Sequence, residues 1–460
     1  MGRFALSALL GSFFVGACGS GVGSSSAVPA DARSTLDGGN DGASSDAALI
    51  DAGADGSTND GGVATSNIKH VVVVIQENHT FDNYFGRFCT AAAGSDPSCT
   101  TGPACCERAP TTDPSGASPT VLDDADNAGY DPTHTQPCEL AEMNGGAMDR
   151  YVTGSSCSNA KNFAIATDQV VKPYHDWAAK YAIADRYFQP LVGQSSSNDM
   201  YFAVAKYVFT DNAYQPNTNG KGCDLPPTPT IEYANQKTIA DLLIAGGHTF
   251  SFYAEGYQRM IDAVFCPAAP ADCPAHIPSV PCDYTPSDNP FQYYAQFADN
   301  RTYMKDFDQL AADIAGSKLP NVVFIKPVQY HNEHPGYGTT ITAGVTFVQG
   351  IVAQIEGSAY ANDTLVLVAW DEGGGFFDHV KPPADSTIDQ KPYGTRVPLL
   401  ALGRFAKPNT VSHVTMEHSS IVKFLEYNFL GATGQLGARD ANVNGIGSLL
   451  DPAQTGIVIP

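Results

Sequence analysis

Residues 68–75 read Ile-Lys-His-Val-Val-Val-Val-Ile, an almost unbroken β-branched run without polar alternation. A strand of this kind is covered on both faces, which is the situation inside a parallel sheet flanked by helices. Similar runs occur at Asn321–Lys326, Thr364–Trp370 and Val397–Leu402, with a weaker one at Phe250–Tyr253. Between and after them, helical patterns are expected over Lys172–Asp185, Ala343–Glu356 and Glu417–Phe429. Strands alternating with helices predict an α/β sandwich with a mostly parallel central sheet.

In such sheets ligands bind outside the carboxyl ends of the strands. Glu77 and Asn78 directly follow the first run, Asp371 and Glu372 directly follow Thr364–Trp370, and His331 and His334 come shortly after Asn321–Lys326. Acidic residues are common in turns, so one such pair says little. Metal-type ligands at three separate strand ends point to a metal or catalytic site.

The chain has 460 residues, enough for a large core, and 25 basic against 48 acidic side chains give a formal charge of −23. Such a field repels nucleic acid and anionic lipid as bulk partners. The residues ahead of the first strand divide in two. Met1-Gly2-Arg3 followed by an apolar stretch to Val15 reads as a secretory signal, too short to span a membrane. It ends in Val15-Gly16-Ala17-Cys18, which resembles a bacterial lipoprotein box with Cys18 as the lipid-bearing residue. From Gly19 to Ser66 the composition is Gly, Ser, Ala, Asp and Asn with few large apolar residues, a disordered acidic tether that cannot bury enough surface to fold. The catalytic domain is then residues 67–460. Export predicts attachment to the cell-envelope membrane through the N-terminal lipid, or secretion. It also predicts that the ten cysteines other than Cys18, all between Cys89 and Cys282, form disulfides in loop insertions. A zinc site is the competing reading, but Cys105 and Cys106 are adjacent and no His pair at finger spacing follows.

Two long segments are more specific. Glu77-Asn78-His79-Thr80-Phe81-Asp82-Asn83-Tyr84-Phe85-Gly86 resembles one signature of the bacterial phosphoesterase family that includes non-haemolytic phospholipases C and an acid phosphatase. Asp371-Glu372-Gly373-Gly374-Gly375-Phe376-Phe377-Asp378-His379-Val380 resembles its second. Asp131-Pro132-Thr133-His134, Asn144-Gly145-Gly146-Ala147-Met148-Asp149, Glu333-His334-Pro335, Tyr393-Gly394-Thr395-Arg396 and Glu417-His418-Ser419-Ser420 are similar to further family segments, so the likeness runs from about residue 68 to 430.

The resemblance implies an alkaline-phosphatase-like fold and a hydrolase of phosphate esters that works through a covalent phosphoserine. The family's nucleophile segment falls on Gly193-Gln194-Ser195-Ser196-Ser197-Asn198-Asp199, with Ser195 at the nucleophile position. Asp199 stands where the family has arginine, and a carboxylate facing the substrate there would repel an anionic head group. By the same resemblance one divalent metal ion is held by Glu77, Asn78, Asp371 and Glu372, with Ser195 joining it as an alkoxide. A helix beginning near Asn198 would aim its amides at the incoming anion. Imidazoles suit the proton transfers, and the candidates are His134, His334 and His331. Asp378, His379 and His413 are candidates for orienting ligands or holding a second metal, while His418 reads as structural.

A phosphate-ester substrate and a phosphomonoesterase of the acid-phosphatase type are expected. The alternative is a phospholipase C acting on phospholipid head groups, and an alternative of another class is an inactive surface-binding lipoprotein. Ser at the nucleophile position resembles the phosphatase branch.

Overall fold

The computed structural model describes residues 62–460 apart from 211, 213–217, 219, 222–230, 232–234, 264–272 and 274–281. Cys18, the signal, most of the tether, Cys223 and Cys266 lie outside the described residues. Among the described residues, contacts with the domain begin at Gly62, ahead of the boundary at 67 read from composition. The Gly62 amide donates to Gly247 O and the Thr65 amide to Asn428 O.

Ten strands are described: β1 (His70–Gln76), β2 (Thr120–Leu122), β3 (Ala164–Ala166), β4 (Ala182–Ala184), β5 (Phe250–Ala254), β6 (Met304–Asp306), β7 (Val322–Lys326), β8 (Thr364–Trp370), β9 (Leu399–Leu402) and β10 (Thr410–Ser412). Eight form one sheet in the order β10-β4-β9-β8-β1-β7-β5-β6, and β2 pairs with β3 apart from it. β1 is central and parallel to both neighbours, with Val71 opposite Val322 and His70 opposite Thr364. Only β9 runs antiparallel, against β8 and β4. The expected α/β sheet, mostly parallel, is therefore the one that forms.

β1 shows why. Val71 to Ile75 have no exposed surface, and the facing residues of β7 and β8 are equally buried. Helix Ile341–Glu356 covers the sheet with Val345, Val348, Ile351, Val352 and Ile355 at helical spacing. Thr340 caps it by accepting from the Ala343 amide. Helix His418–Leu430 starts in a capping box, where Glu417 accepts from the Ser419 amide, and stops at Gly431. Each buried leucine- or valine-sized side chain contributes about 1.5–3 kcal/mol, so these runs hold the sheet that carries the site.

One helix differs from expectation. The periodic stretch Lys172–Asp185 forms a helix over Asp168–Lys180, and Ala182-Ile183-Ala184 leave it to become β4. All three are buried between β9 and β10, so sheet pairing overrides the helical pattern. Disulfides join Cys89 to Cys106, Cys99 to Cys105, Cys138 to Cys157 and Cys273 to Cys282. The expected staples are present, mostly in loops, with Cys138 in the short helix Gln136–Met143. Among the described residues no helix is long and apolar enough to cross a membrane.

Candidate active site

Because β8, β1 and β7 are adjacent and parallel, their carboxyl ends place Asp371, Glu77 and Lys326 side by side. Glu77 is 3% exposed, and Asn78, Asp371 and Glu372 are fully buried. Asn78 turns at φ +64, and its amide donates to Asp371 Oδ1 at 3.3 Å. Gly374, at φ +62, lies against Asn78. A Cβ there would meet Asn78 O at 2.5 Å, so the glycine lets the second signature close over the first.

The nucleophile candidate comes from another direction. Helix Ser195–Val204 begins three residues earlier than expected, with Ser195 in its first turn, where backbone amides have no partner within the helix. The turn before it is held from two sides. The Asn198 side chain donates to Gly193 O at 2.7 Å, and the Gly193 amide donates to Glu139 Oε2 at 2.9 Å. Gly193 sits at φ +114, and a Cβ would meet the Asn212 side chain at 2.3 Å. The result is that Ser195 Oγ donates to Glu372 Oε1 at 2.7 Å. Ser196 is 2% exposed and Ser197 fully buried, whereas Ser195 is partly exposed.

His134 and His334 arrive together. Their rings are 5.6 Å apart, and His134 Nε2 lies 3.5 Å from the Asn78 side-chain nitrogen. Burial opposes charge on His134, but Glu372 and Asp131 outweigh it and push the imidazole up to about 10. His134 is charged at neutral pH and suited to hold an anion or give a proton. Burial pushes the Glu372 carboxyl well above its usual range, against the charge of His134.

Other expected residues go elsewhere. His331 points to Glu255, 2.8 Å away at the end of β5, and stacks on Phe347. Between it and His334 the backbone turns at Glu333, φ +74, which sends one imidazole outward and the other in. His331 has no contact with Ser195 or Glu372 among the described residues. His413 bonds to Asp185 at 2.9 Å and to Cys99 O at 2.7 Å, a structural tie to the crosslinked loop.

Asp378 and His379 join Asp82, and a guanidinium occupies that cluster. Arg396 Nε meets Asp378 at 2.8 Å and Arg396 Nη2 meets Asp82 at 3.0 Å, while His379 bridges Asp82 and Glu107 at 2.8 Å each. Arg396 already supplies the charge that a second metal would bring. Burial opposes charge on His379, but Asp82 and Glu107 push it up to about 9. Its folded value is raised above the unfolded 6.5, so its contribution is fully present below pH 6.5 and lost as pH rises through 9. Thermal unfolding should show a Tm falling between those pH values, with a shallower fall in His379→Gln. Equal slopes would contradict this account of the cluster.

Lys326, which no motif of the sequence marks, completes the site. Lys326 Nζ lies 2.9 Å from Glu77, 3.4 Å from Asp371 and 3.5 Å from Asp199. Asp199 is fully buried on this lysine, so it does not face substrate and the expected repulsion of an anionic head group does not arise. A lysine closing a run of fully buried residues was the available signal. His418, pushed down to about 3 by burial, donates from Nε2 to Asp371 O and accepts from Tyr187 at Nδ1. It props the strand end from behind.

The site's chemistry suits a divalent cation. Glu77, Asp199, Asp371 and Glu372 converge in a buried space, and Asn78 Oδ1, Glu372 Oε2 and Asp199 Oδ1 have no hydrogen-bond partner among the described residues. Unpaired buried oxygens of this kind are costly unless an ion uses them. Beside them, Asp131, His134 and His334 offer ligand atoms within 4.8 Å of one another.

Known proteins resemble the chain over the same span. It is similar to phospholipase C B of Mycobacterium tuberculosis, 24% identical over 434 residues and covering 82% of this chain and 76% of the relative. Non-specific phospholipase C3 of Arabidopsis thaliana is 24% identical, with 80% and 71% covered. Non-hemolytic phospholipase C of Pseudomonas aeruginosa is 23% identical, with 79% and 54% covered. A solved alkaline phosphatase superfamily protein from Vibrio parahaemolyticus aligns at TM-score 0.36 and 11% identity, covering 85% of this chain and 74% of that one. The family model described as Phosphoesterase family matches residues 68–430, most of the chain and every strand end described above, and the chain belongs to the phosphoesterase family.

Proposed function

We propose that this hydrolase of phosphoric ester bonds acts on phosphomonoesters by forming a phosphoserine at Ser195. The observation that carries the reading is the 2.7 Å hydrogen bond from Ser195 Oγ to Glu372, at the mouth of a buried carboxylate cluster. Glu77, Asn78, Asp371, Glu372 and Ser195 would hold one divalent ion. Such an ion, when bound, makes a serine hydroxyl easier to ionise and offsets phosphoryl charge. Glu372 takes the hydroxyl proton, and the serine oxygen attacks phosphorus as the ester P–O bond breaks. Charged His134, with His334 beside it, binds the phosphoryl oxygens and supplies a proton to the departing alkoxide. Water then attacks the phosphoserine, giving one proton back to His134, while the breaking P–O bond leaves the serine oxygen to regain its proton from Glu372, so that phosphate departs and both side chains return to their starting state. Family membership weighs against the reading as an inactive binding lipoprotein.

The relatives' printed names favour a second reading, phospholipase C. Both readings are decided by one assay on protein folded in an oxidising compartment, with para-nitrophenyl phosphate and para-nitrophenyl phosphorylcholine as substrates. Expected is release of nitrophenol from the simple phosphate, abolished by a chelator and restored by one added divalent metal. Faster turnover of the choline ester would move the substrate to phospholipids. No turnover of either by metal-loaded, folded protein would remove the proposal. With it we propose export by the N-terminal signal and lipid on Cys18; loss of a fatty-acid label in Cys18→Ser is the check, and a label that persists refutes it.

A further inference from the structure

The side chain of Lys326 is 5% exposed, and its ammonium sits inside the group of residues assigned to the metal rather than beside it. It is the last residue of β7, next to the central strand, so the sheet itself presents it to Glu77. Its neighbours come from three further elements: Glu77 after β1, Asp371 after β8 and Asp199 from the helix of Ser195. Asp288 adds a further negative field to the same place. Carboxylates from separate elements gathered around one point are what a cation-binding position looks like, and here a side chain of the protein fills it.

We propose that Lys326 is a built-in cation that fills the position Glu77, Asp199 and Asp371 would otherwise yield to a second divalent ion, and so limits the site to one metal. The inference rests on the single-metal reading of the site given above. A lysine in that position does two things that a second ion would do. It neutralises part of the charge that would drive Glu77 and Asp371 apart, and it fixes both beside Asn78 and Glu372. It differs from an ion in that it cannot be removed by a chelator and offers no open coordination position. Truncating the side chain leaves both the space and the oxygens, and oxygens at 2.9–3.5 Å from the nitrogen need move inward by only about 1 Å to reach ligand distances for a cation such as Ca²⁺.

The test is metal content, which needs no substrate. The full chain is loaded with Mn²⁺, gel-filtered and measured by atomic emission. Expected are one equivalent in the wild type, one in Lys326→Arg and two in Lys326→Ala. No metal in the wild type would defeat the metal reading of the site itself, and the lysine inference with it. Two equivalents in the wild type, two in Lys326→Arg, or one in folded Lys326→Ala would overturn the lysine inference alone. If Lys326→Ala folds only with Mn²⁺ present, the inference is upheld, because the ion then does what the lysine did. If it does not fold even then, the inference is overturned, because an ion cannot take the place of the lysine.

Discussion

Ser195→Ala is expected to lower the turnover number on para-nitrophenyl phosphate by at least about 10³-fold while leaving the protein folded. The loss is large because no neighbour can take over. Ser196 and Ser197 are buried in the helix, and neither is hydrogen-bonded to Glu372. Stability should fall by only about 1 kcal/mol, the cost of leaving Glu372 Oε1 without its donor, since the helix is capped at Gln194 without using the Ser195 hydroxyl. The matching changes Ser196→Ala and Ser197→Ala should keep most of the activity, provided they fold. Rapid quench with phosphate-labelled substrate should trap acid-stable label on the wild type and none on the Ser195 variant. A Ser195→Ala protein retaining a tenth of the wild-type rate would rule out attack by this oxygen.

The largest effect on stability is expected one residue before His334. Glu333 is buried without exposure and accepts from the Tyr84 hydroxyl at 2.7 Å, the Tyr174 hydroxyl at 2.5 Å, Gln76 Nε2 at 3.1 Å and Trp370 Nε1 at 3.2 Å. Burial pushes its carboxyl up to about 7 while those donors pull it down. Glu333→Ala removes the shared acceptor and leaves the donors unpaired, each at about 1–3 kcal/mol before relaxation, so a loss on the order of 4 kcal/mol is expected in urea unfolding. Glu333→Gln keeps one acceptor oxygen and should cost about half as much. Activity should fall in both, because the side chain anchors the turn that carries His334, and loosening it also shifts the backbone oxygen of Glu333 that accepts from His79 Nε2. An alanine variant within about 1 kcal/mol of wild type would show that water replaces the carboxylate at no cost.

Much of this was legible where one physical rule dominates. The central strands are saturated with Val, Ile and Leu, so their burial was evident, and parallel sheets put chemistry at strand ends whatever the sequence between. Glu77, Asn78, Asp371 and Glu372 were therefore readable together, and the nucleophile segment brought Ser195. What remained hidden depended on partners distant in sequence. Ala182-Ile183-Ala184 has no signal of its own beyond a helical pattern that happens to continue through it. Asp199 looked hostile to substrate because its charge was visible and its partner, Lys326, was not. His331 had only its nearness to His334 in its favour, and the turn at Glu333 separates them.

The position of β1 has a consequence for the life of the chain. It is the first of the described strands to be synthesised, yet both of its partners, β7 and β8, lie in the last third of the sequence. Until those residues emerge, a highly apolar segment has nothing to pair with, and the core cannot close in stages from the N-terminus. Pairings so distant slow folding, because a long loop must be ordered before any contact repays it. For a nascent chain this delay is useful if it is to be threaded through a translocon, and hazardous if it lingers in the cytosol with that segment open to other chains. The same strand that makes the finished enzyme rigid leaves the growing chain exposed until its last third is made.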